Sequence, residues 1–164
     1  MQIDTLALHP KFVEPIVATL NESWGELSPW TDKSTIRARL ESGATNTGFP
    51  HTLVAIADDG KLAATGSIKL NELPNHPEKI HWIGEIFVLP EYRNQGLGSQ
   101  VTNALRDYAF AKGAPAIYLY TPDQQSLYER LGWSEIGHEI ANGEAVSVMV
   151  LRAGDLKPST GHRG

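Results

Sequence analysis

The chain is expected to fold as an α/β domain, a mixed β-sheet with helices packed on its faces. Apolar residues recur at helical spacing in several separate stretches. Apolar runs of strand length, bounded by glycine and proline turns, account for seven strands. The two kinds of element follow in the order β-α-α-β-β-β-α-β-α-β-β, which is not the strict alternation of a doubly wound parallel sheet. The length of 164 residues suits one domain, placed at 1–152, followed by a flexible tail at 153–164. With 41% hydrophobic and 20% charged residues, the chain can bury about two-thirds of its extended surface.

Taken in order, residues 2–8 read as a short strand. Phe12, Val13, Ile16, Val17, Leu20 and Trp24 line one face of a helix over Lys11 to Trp24. Pro15 lacks the N–H that a helix interior needs, so that helix starts late or kinks. A second helix fits Lys33 to Ser42, capped by Asp32 or Thr31 and stopped by Gly43. Thr52 to Ala57 and Leu62 to Leu70 form a hairpin through Asp58-Asp59-Gly60-Lys61. Asn71 to Lys79, with Pro74 and Pro77, is a loop. Ile80 to Leu89 reads as a central strand covered on both sides, with Trp82 and Phe87 on opposite faces. Leu97, Val101, Leu105 and Tyr108 stripe a helix over Leu97 to Lys112 that Gly113 ends. Ile117 to Tyr120 is a strand and Gln124 to Leu131 a short helix. Trp133 to Ile140 and Ala145 to Leu151 pair through Asn142-Gly143.

Composition excludes several functions. There is no cysteine, hence no disulfide, thiolate metal site or cysteine-borne acyl-enzyme. Six histidines show no metal-ligand spacing, so no metal is expected. A net charge of −5 offers no footprint for nucleic acid. No run approaches the roughly 18 apolar residues of a membrane span, and Met1-Gln2-Ile3-Asp4 lacks the character of a signal peptide. The expected location is the cytoplasm.

The chemistry concentrates where Val88-Leu89-Pro90-Glu91-Tyr92 leads into Arg93-Asn94-Gln95-Gly96-Leu97-Gly98-Ser99. A strand end followed by glycines opening a helix exposes unpaired N–H groups and the positive end of the helix dipole, a combination that suits phosphate. Ser99 and Gln100 after Gly98 do not match a Walker A loop. Val101 and the lack of an acid near residue 118 do not match a dinucleotide fingerprint. Alternatively, the glycines simply allow close packing of strand on helix.

Arg93-x-x-Gly96-x-Gly98, with the strand before it, resembles the acyl-CoA pyrophosphate loop of the GNAT superfamily of N-acetyltransferases. Leu127-Tyr128-Glu129-Arg130-Leu131-Gly132-Trp133 resembles that family's second signature. The resemblance spans nearly the whole chain and is strongest from Ile80 to Leu151. One departure is Thr121-Pro122-Asp123, where members often carry an Asn. The resemblance implies a GNAT-like fold and acetyl-CoA as cosubstrate. Arg93, Asn94, Gln95, Gly96, Leu97, Gly98 and Ser99 would hold its diphosphate. Backbone groups of Phe87, Val88 and Leu89 would pair with the pantetheine and polarise the thioester.

The expected reaction is acetyl transfer to a primary amine of a small molecule or peptide, by direct attack in a ternary complex. A non-catalytic acyl-CoA sensor or partner-binding module is the alternative. Glu85, on the face shared by Ile83 and Phe87, is the expected base, directly or through water, with His81 on that same face in reserve. Tyr128 is the expected acid for the leaving thiolate and also a cofactor contact. Trp24, Trp30, Glu22, Glu26 and Asp32 are candidates for lining the acceptor pocket, and a homodimer through the C-terminal strands is the family-level expectation.

Overall fold

The structure, a computed structural model, describes residues 1–44 and 47–155. Seven strands make one sheet in the order β1-β2-β3-β4-β5-β7-β6: β1 Gln2–Thr5, β2 His51–Ile56, β3 Leu62–Leu70, β4 His81–Val88, β5 Ala116–Thr121, β6 Ser134–Ala141 and β7 Glu144–Arg152. The helices are α1 Val13–Trp24, α2 Lys33–Gly43, α3 Leu97–Ala111 and α4 Gln125–Arg130. Among the described residues no helix is long and apolar enough to cross a membrane.

Some boundaries move for local reasons. β1 ends at Thr5, and Leu6–Leu8 turn in a short 3-10 helix that buries Leu6 instead of extending the strand to residue 8. α1 begins at Val13, which places Pro15 in the first turn, where no intrahelical N–H is required. Asp32 caps α2 by accepting from the Ser34 amide at 3.1 Å. Ala153–Asp155 at the start of the expected tail form a turn, with the Ala153 amide donating to Pro115 O at 3.0 Å. The remainder of the tail lies outside the described residues.

α1 and α2 cover one face, where Ile16, Val17, Leu20, Ile36 and Leu40 meet Val54, Ile56 and Phe87. α3 covers the other, where Leu97, Val101 and Leu105 meet Leu53, Ile68, Ile83, Ile117 and Met149. All neighbouring strands run antiparallel except β4 and β5. That parallel pair is in register at Trp82 and Tyr118, beyond which the two strands part and leave a cleft.

A bulge sets the middle of β4. On β3, Thr65 and Ser67 pair with Phe87 and Gly84, so Glu85 and Ile86 together oppose the single residue Gly66. A Cβ at Gly66 would lie 2.6 Å from Ile86 Cδ1 and 2.8 Å from Val101 Cγ1, so only glycine admits Ile86 against α3. The extra residue reverses the alternation of faces along β4. Trp82 and Phe87 pair with Lys69 and Thr65, four residues apart on β3, and so share the α1–α2 face; the expectation of opposite faces is corrected. Glu85 likewise shares the face of Phe87 but not that of Ile83, which pairs with Ile68 in the α3 core. His81 also lies on the α3 side, with its ring 4.5 Å from that of Phe49, and is separated from Glu85 by the sheet.

Candidate active site

Leaving β4, the chain turns through Pro90–Tyr92 and reaches α3 with Asn94 at φ 65° and Gly96 at φ 77°. Gly96 caps α3 with no side-chain hydrogen bond, which leaves the amides of the first turn directed outward. A Cβ on Gly96 would meet nothing within 4 Å, and one on Gly98 would meet only Val88 Cγ2, at 3.8 Å. Strand–helix packing therefore requires neither glycine. The bare backbone fits a group that must approach the helix start closely, as a diphosphate would. Arg93 folds back over this end of β4, its Nε donating to Val88 O at 3.0 Å and its guanidinium 5.4 Å from the Phe87 ring.

The ladder corrects the assignment of backbone groups on β4. The Leu89 amide donates to Ala63 O at 2.9 Å, and the Leu89 carbonyl accepts from Tyr92. Two residues back, Phe87 faces β3 in the same phase. Phe87 and Leu89 thus turn their backbone groups away from the cleft, and Val88 and Ile86 turn theirs toward it. No sequence signal announced Ile86, because the bulge that aims it depends on Gly66 of another strand.

A cavity of about 390 Å³ fills the cleft, walled by Ile83 to Ile86 of β4, Leu119 to Thr121 of β5, Trp24 and Trp30. Trp24, Trp30 and Phe87 stack edge to face, with centroids 5.1 Å and 5.5 Å apart. Of the acids proposed for an acceptor pocket near these tryptophans, Asp32 serves as the α2 cap, and Glu22 and Glu26 are not part of the wall. The carboxylates present are instead Glu72, Glu85, Asp123 and Glu144, with Lys69 as the cation among them.

Glu85 is buried, with 3% of its side chain exposed, and adopts φ 55°, a left-handed conformation that costs a non-glycine residue of order 1 kcal/mol. Its surroundings hold it there. Trp30 Nε1 donates to Oε2 at 2.6 Å, Arg39 Nη2 pairs with the same oxygen, and Lys69 Nζ lies 4.0 Å away. Burial pushes the Glu85 carboxyl up, but Lys69, Arg39 and the Trp30 bond outweigh it and bring it below the ordinary glutamate range. A carboxylate held this way is a poor direct acceptor for an alkylammonium proton. Burial pulls Lys69 down, yet the facing carboxylates of Glu85 and Glu72, the latter at 2.7 Å, keep its ammonium above the usual lysine range. Lys69 and Arg39 were missed from sequence. A lone lysine inside the apolar run Leu62–Leu70 was the one available signal, and nothing near Arg39 marked it.

Tyr128 reaches the same cavity from α4, its ring edge-on to Trp133 at 6.1 Å. Burial pushes its hydroxyl above the usual tyrosine range, a shift reduced by the neighbouring Thr102 hydroxyl. Thr102 Oγ1 itself donates to Gly98 O at 2.7 Å, within the first turns of α3. Thr121, at the departure from the expected Asn, accepts at Oγ1 from the Gln124 amide at 3.0 Å, in the turn that precedes α4. His81 is outside the cavity wall, and burial pushes it below the ordinary histidine range. Among the described residues no group of three or more His, Cys, Asp or Glu side chains is placed to hold a metal.

Solved structures share this architecture. An acetyltransferase of the GNAT family from Streptococcus pneumoniae superposes with a TM-score of 0.68 at 20% identity, covering 92% of this chain and 98% of that one. An aminoglycoside 6'-N-acetyltransferase complexed with coenzyme A gives 0.73 at 15% identity, covering 97% and 99%. In sequence, an uncharacterized N-acetyltransferase, YhfO of Bacillus subtilis (strain 168), is 34% identical over 62 residues. That stretch is 35% of this chain and 42% of the length of that relative. The sequence model of the Acetyltransferase (GNAT) family matches residues 14–133, which include all of α1 but Val13, the β4 bulge, the glycine turn and Tyr128, and the chain belongs to that family.

Proposed function

We propose that the protein transfers an acetyl group from acetyl-CoA to a primary amine of a small molecule or peptide, by direct attack in a ternary complex. The observation that carries this is the open backbone at Gly96 and Gly98, set beside a cavity into which Tyr128 projects. Acetyl-CoA supplies the activated thioester when bound. The amides at the start of α3, with Arg93, hold the diphosphate, and the backbone of Ile86 and Val88 receives the pantetheine arm and polarises the carbonyl. The complex of an aminoglycoside 6'-N-acetyltransferase with coenzyme A on this fold supports the choice of cosubstrate.

An alkylammonium titrates near ~10.4 and must lose a proton before it attacks. Direct transfer to Glu85, whose carboxyl Lys69, Arg39 and Trp30 hold below the ordinary glutamate range, runs strongly uphill. Water in the cavity therefore carries that proton to solvent. Glu85 acts by fixing Lys69, Arg39 and Trp30 around the acceptor. Tyr128 keeps its proton at neutral pH and lends it to the departing sulfur, whose thiol titrates near ~8.5. Lys69 and Arg39 offset Glu72 and Glu85, and Asp123 and Glu144 leave the wall with an acidic excess that favours a cationic acceptor.

The test is release of free CoA across a broad panel of amines and peptides, paired with thermal unfolding. Acetyl-CoA at 100 times its dissociation constant should add about 2.7 kcal/mol of stability. An unchanged melting temperature refutes the binding site. Stabilisation accompanied only by slow hydrolysis, with no acceptor responding, shifts the assignment to a sensor.

A further inference from the structure

β4 and β5 part beyond the pair Trp82 and Tyr118, and Tyr120 follows two residues later, about 7 Å on at ~3.3 Å per residue, near the closed end of the cleft. Its ring lies 6.0 Å from that of Trp82 and packs on Leu73, Val146 and Val148, which puts it on the face that Glu85 and Phe87 also take. Tyr120 is half-buried and forms part of the transfer-cavity wall, together with Asn142 of the β6–β7 turn and Glu144 of β7. Asn142 Nδ2 donates to Tyr120 Oη at 3.2 Å. Asn142 takes φ 52°, which its turn needs and which glycine would supply equally well. The bond to Tyr120 thus uses a side chain that the turn itself does not require. Oη keeps one lone pair and its own proton, and neither has a partner among the described residues. Burial pushes the hydroxyl above the usual tyrosine range against the pull of Lys69, so it is neutral at working pH.

We infer that Tyr120 binds the reacting nitrogen of the acceptor, its oxygen taking one N–H, and that Asn142 is the positioning residue that holds that oxygen in place. This rests on the proposed acetyl transfer. A diphosphate at the start of α3 lies beyond the open end of the cleft. The arm then runs back past Val88 and Ile86 and brings the thioester toward the closed end, where Tyr120 and Gly84 stand level. Asp123 and Glu144 on the same wall draw an ammonium there. With one N–H held by Tyr120, the nitrogen can lose another proton to water and still present its lone pair to the carbonyl. The nitrogen is cationic when it binds and cationic again once it has attacked. The contact therefore contributes to ground state and transition state alike, and acts on KM and not on kcat.

The experiment measures acetylation of n-alkylamines, propyl to hexyl. Tyr120→Phe keeps the ring against Trp82 and should raise the amine KM by about tenfold, with kcat within about twofold of native and acetyl-CoA affinity unchanged. Asn142→Gly keeps both the turn and the hydroxyl. It should raise KM by less, about threefold, and add nothing in the Tyr120→Phe background. In the native protein with CoA bound, the resonance of the Tyr120 ring carbon that bears the hydroxyl should move as n-butylamine is added to the concentration that saturates turnover. An unchanged amine KM in Tyr120→Phe, or an unmoved resonance, overturns the assignment while acetyl transfer stands. Equal losses in the two single variants also overturn it, since the bond would then serve the hairpin and not the substrate. So does weakened acetyl-CoA binding in Tyr120→Phe, which would put the hydroxyl on the cofactor arm. If acetyl-CoA binds and neither this series nor the wider panel is acetylated, the transfer proposal fails and the role of Tyr120 fails with it.

Discussion

The end of β4 and its middle are built by different means, although only a few residues separate them. From Arg93 to Ser99 the backbone is shaped by neighbours along the chain: a proline turn, left-handed residues at Asn94 and Gly96, and a helix that starts without a side-chain cap. From Gly84 to Ile86 the conformation is imposed from a distance. Gly66 of β3 makes room for Ile86, and Arg39 of α2, Trp30 before α2 and Lys69 of β3 converge on Glu85. The first region presents unpaired donors to a ligand; the second has satisfied its charges internally. Damage to the turn should therefore appear in cofactor binding, and damage to the bulge in folding and acceptor use.

Tyr128→Phe is expected to give the largest effect, a loss of roughly 10²–10⁴ in kcat with acetyl-CoA affinity retained. Steady-state kinetics alongside calorimetric titration separates the two quantities, and full activity would return Tyr128 to a packing role beside Trp133. Glu85→Gln comes next. It leaves Arg39 and Lys69 facing a neutral amide, and because Arg39 is partly exposed the expected loss is about 2–3 kcal/mol, below the 3–5 of a fully buried pair. Urea unfolding measures it, and a stability equal to that of the native chain would show the convergence on Glu85 to be incidental. Gly98→Val should weaken acetyl-CoA by about a hundredfold, ~2.7 kcal/mol, while stability changes little, since a Cβ there meets only Val88 Cγ2, at an ordinary contact distance of 3.8 Å. Loss of folding instead would mean that the turn is as dependent on tertiary contacts as the bulge is.

The smallest effect is in pH dependence. The carboxyl of Glu85 is lowered on folding, so its contribution is full above the unfolded value near ~4.3 and is lost as pH falls through its lower folded value. The stability difference between the native chain and Glu85→Gln should accordingly shrink in acid. A difference that grows there would reverse the sign of the Glu85 environment.

Helix and strand placement was legible because each element carries its own periodicity and punctuation. Asn142 and Gly143 at φ 52° and 81° make the hairpin turn their identities imply, and Asp32 caps the helix it precedes. The Gly96–Gly98 turn could be read for the same reason. Misreadings cluster on β4. Strict alternation put Glu85 with Ile83 and His81, and set Trp82 and Phe87 on opposite faces, because one inserted residue is invisible in a pattern of apolar letters. Phe87 and Leu89 were assigned to the cofactor, whereas ladder phase turns Ile86 and Val88 to the cleft.

By itself, the sequence determined the element order, the glycine-opened helix and the tyrosine on the short helix after β5, since each depends on residues within a few positions of one another. Tertiary structure alone decided where β4 and β5 part, which face Glu85 takes, and that Arg39 and Lys69 bind it. Those outcomes rest on contacts between residues 16 to 55 positions apart, and no local preference encodes pairings at that distance.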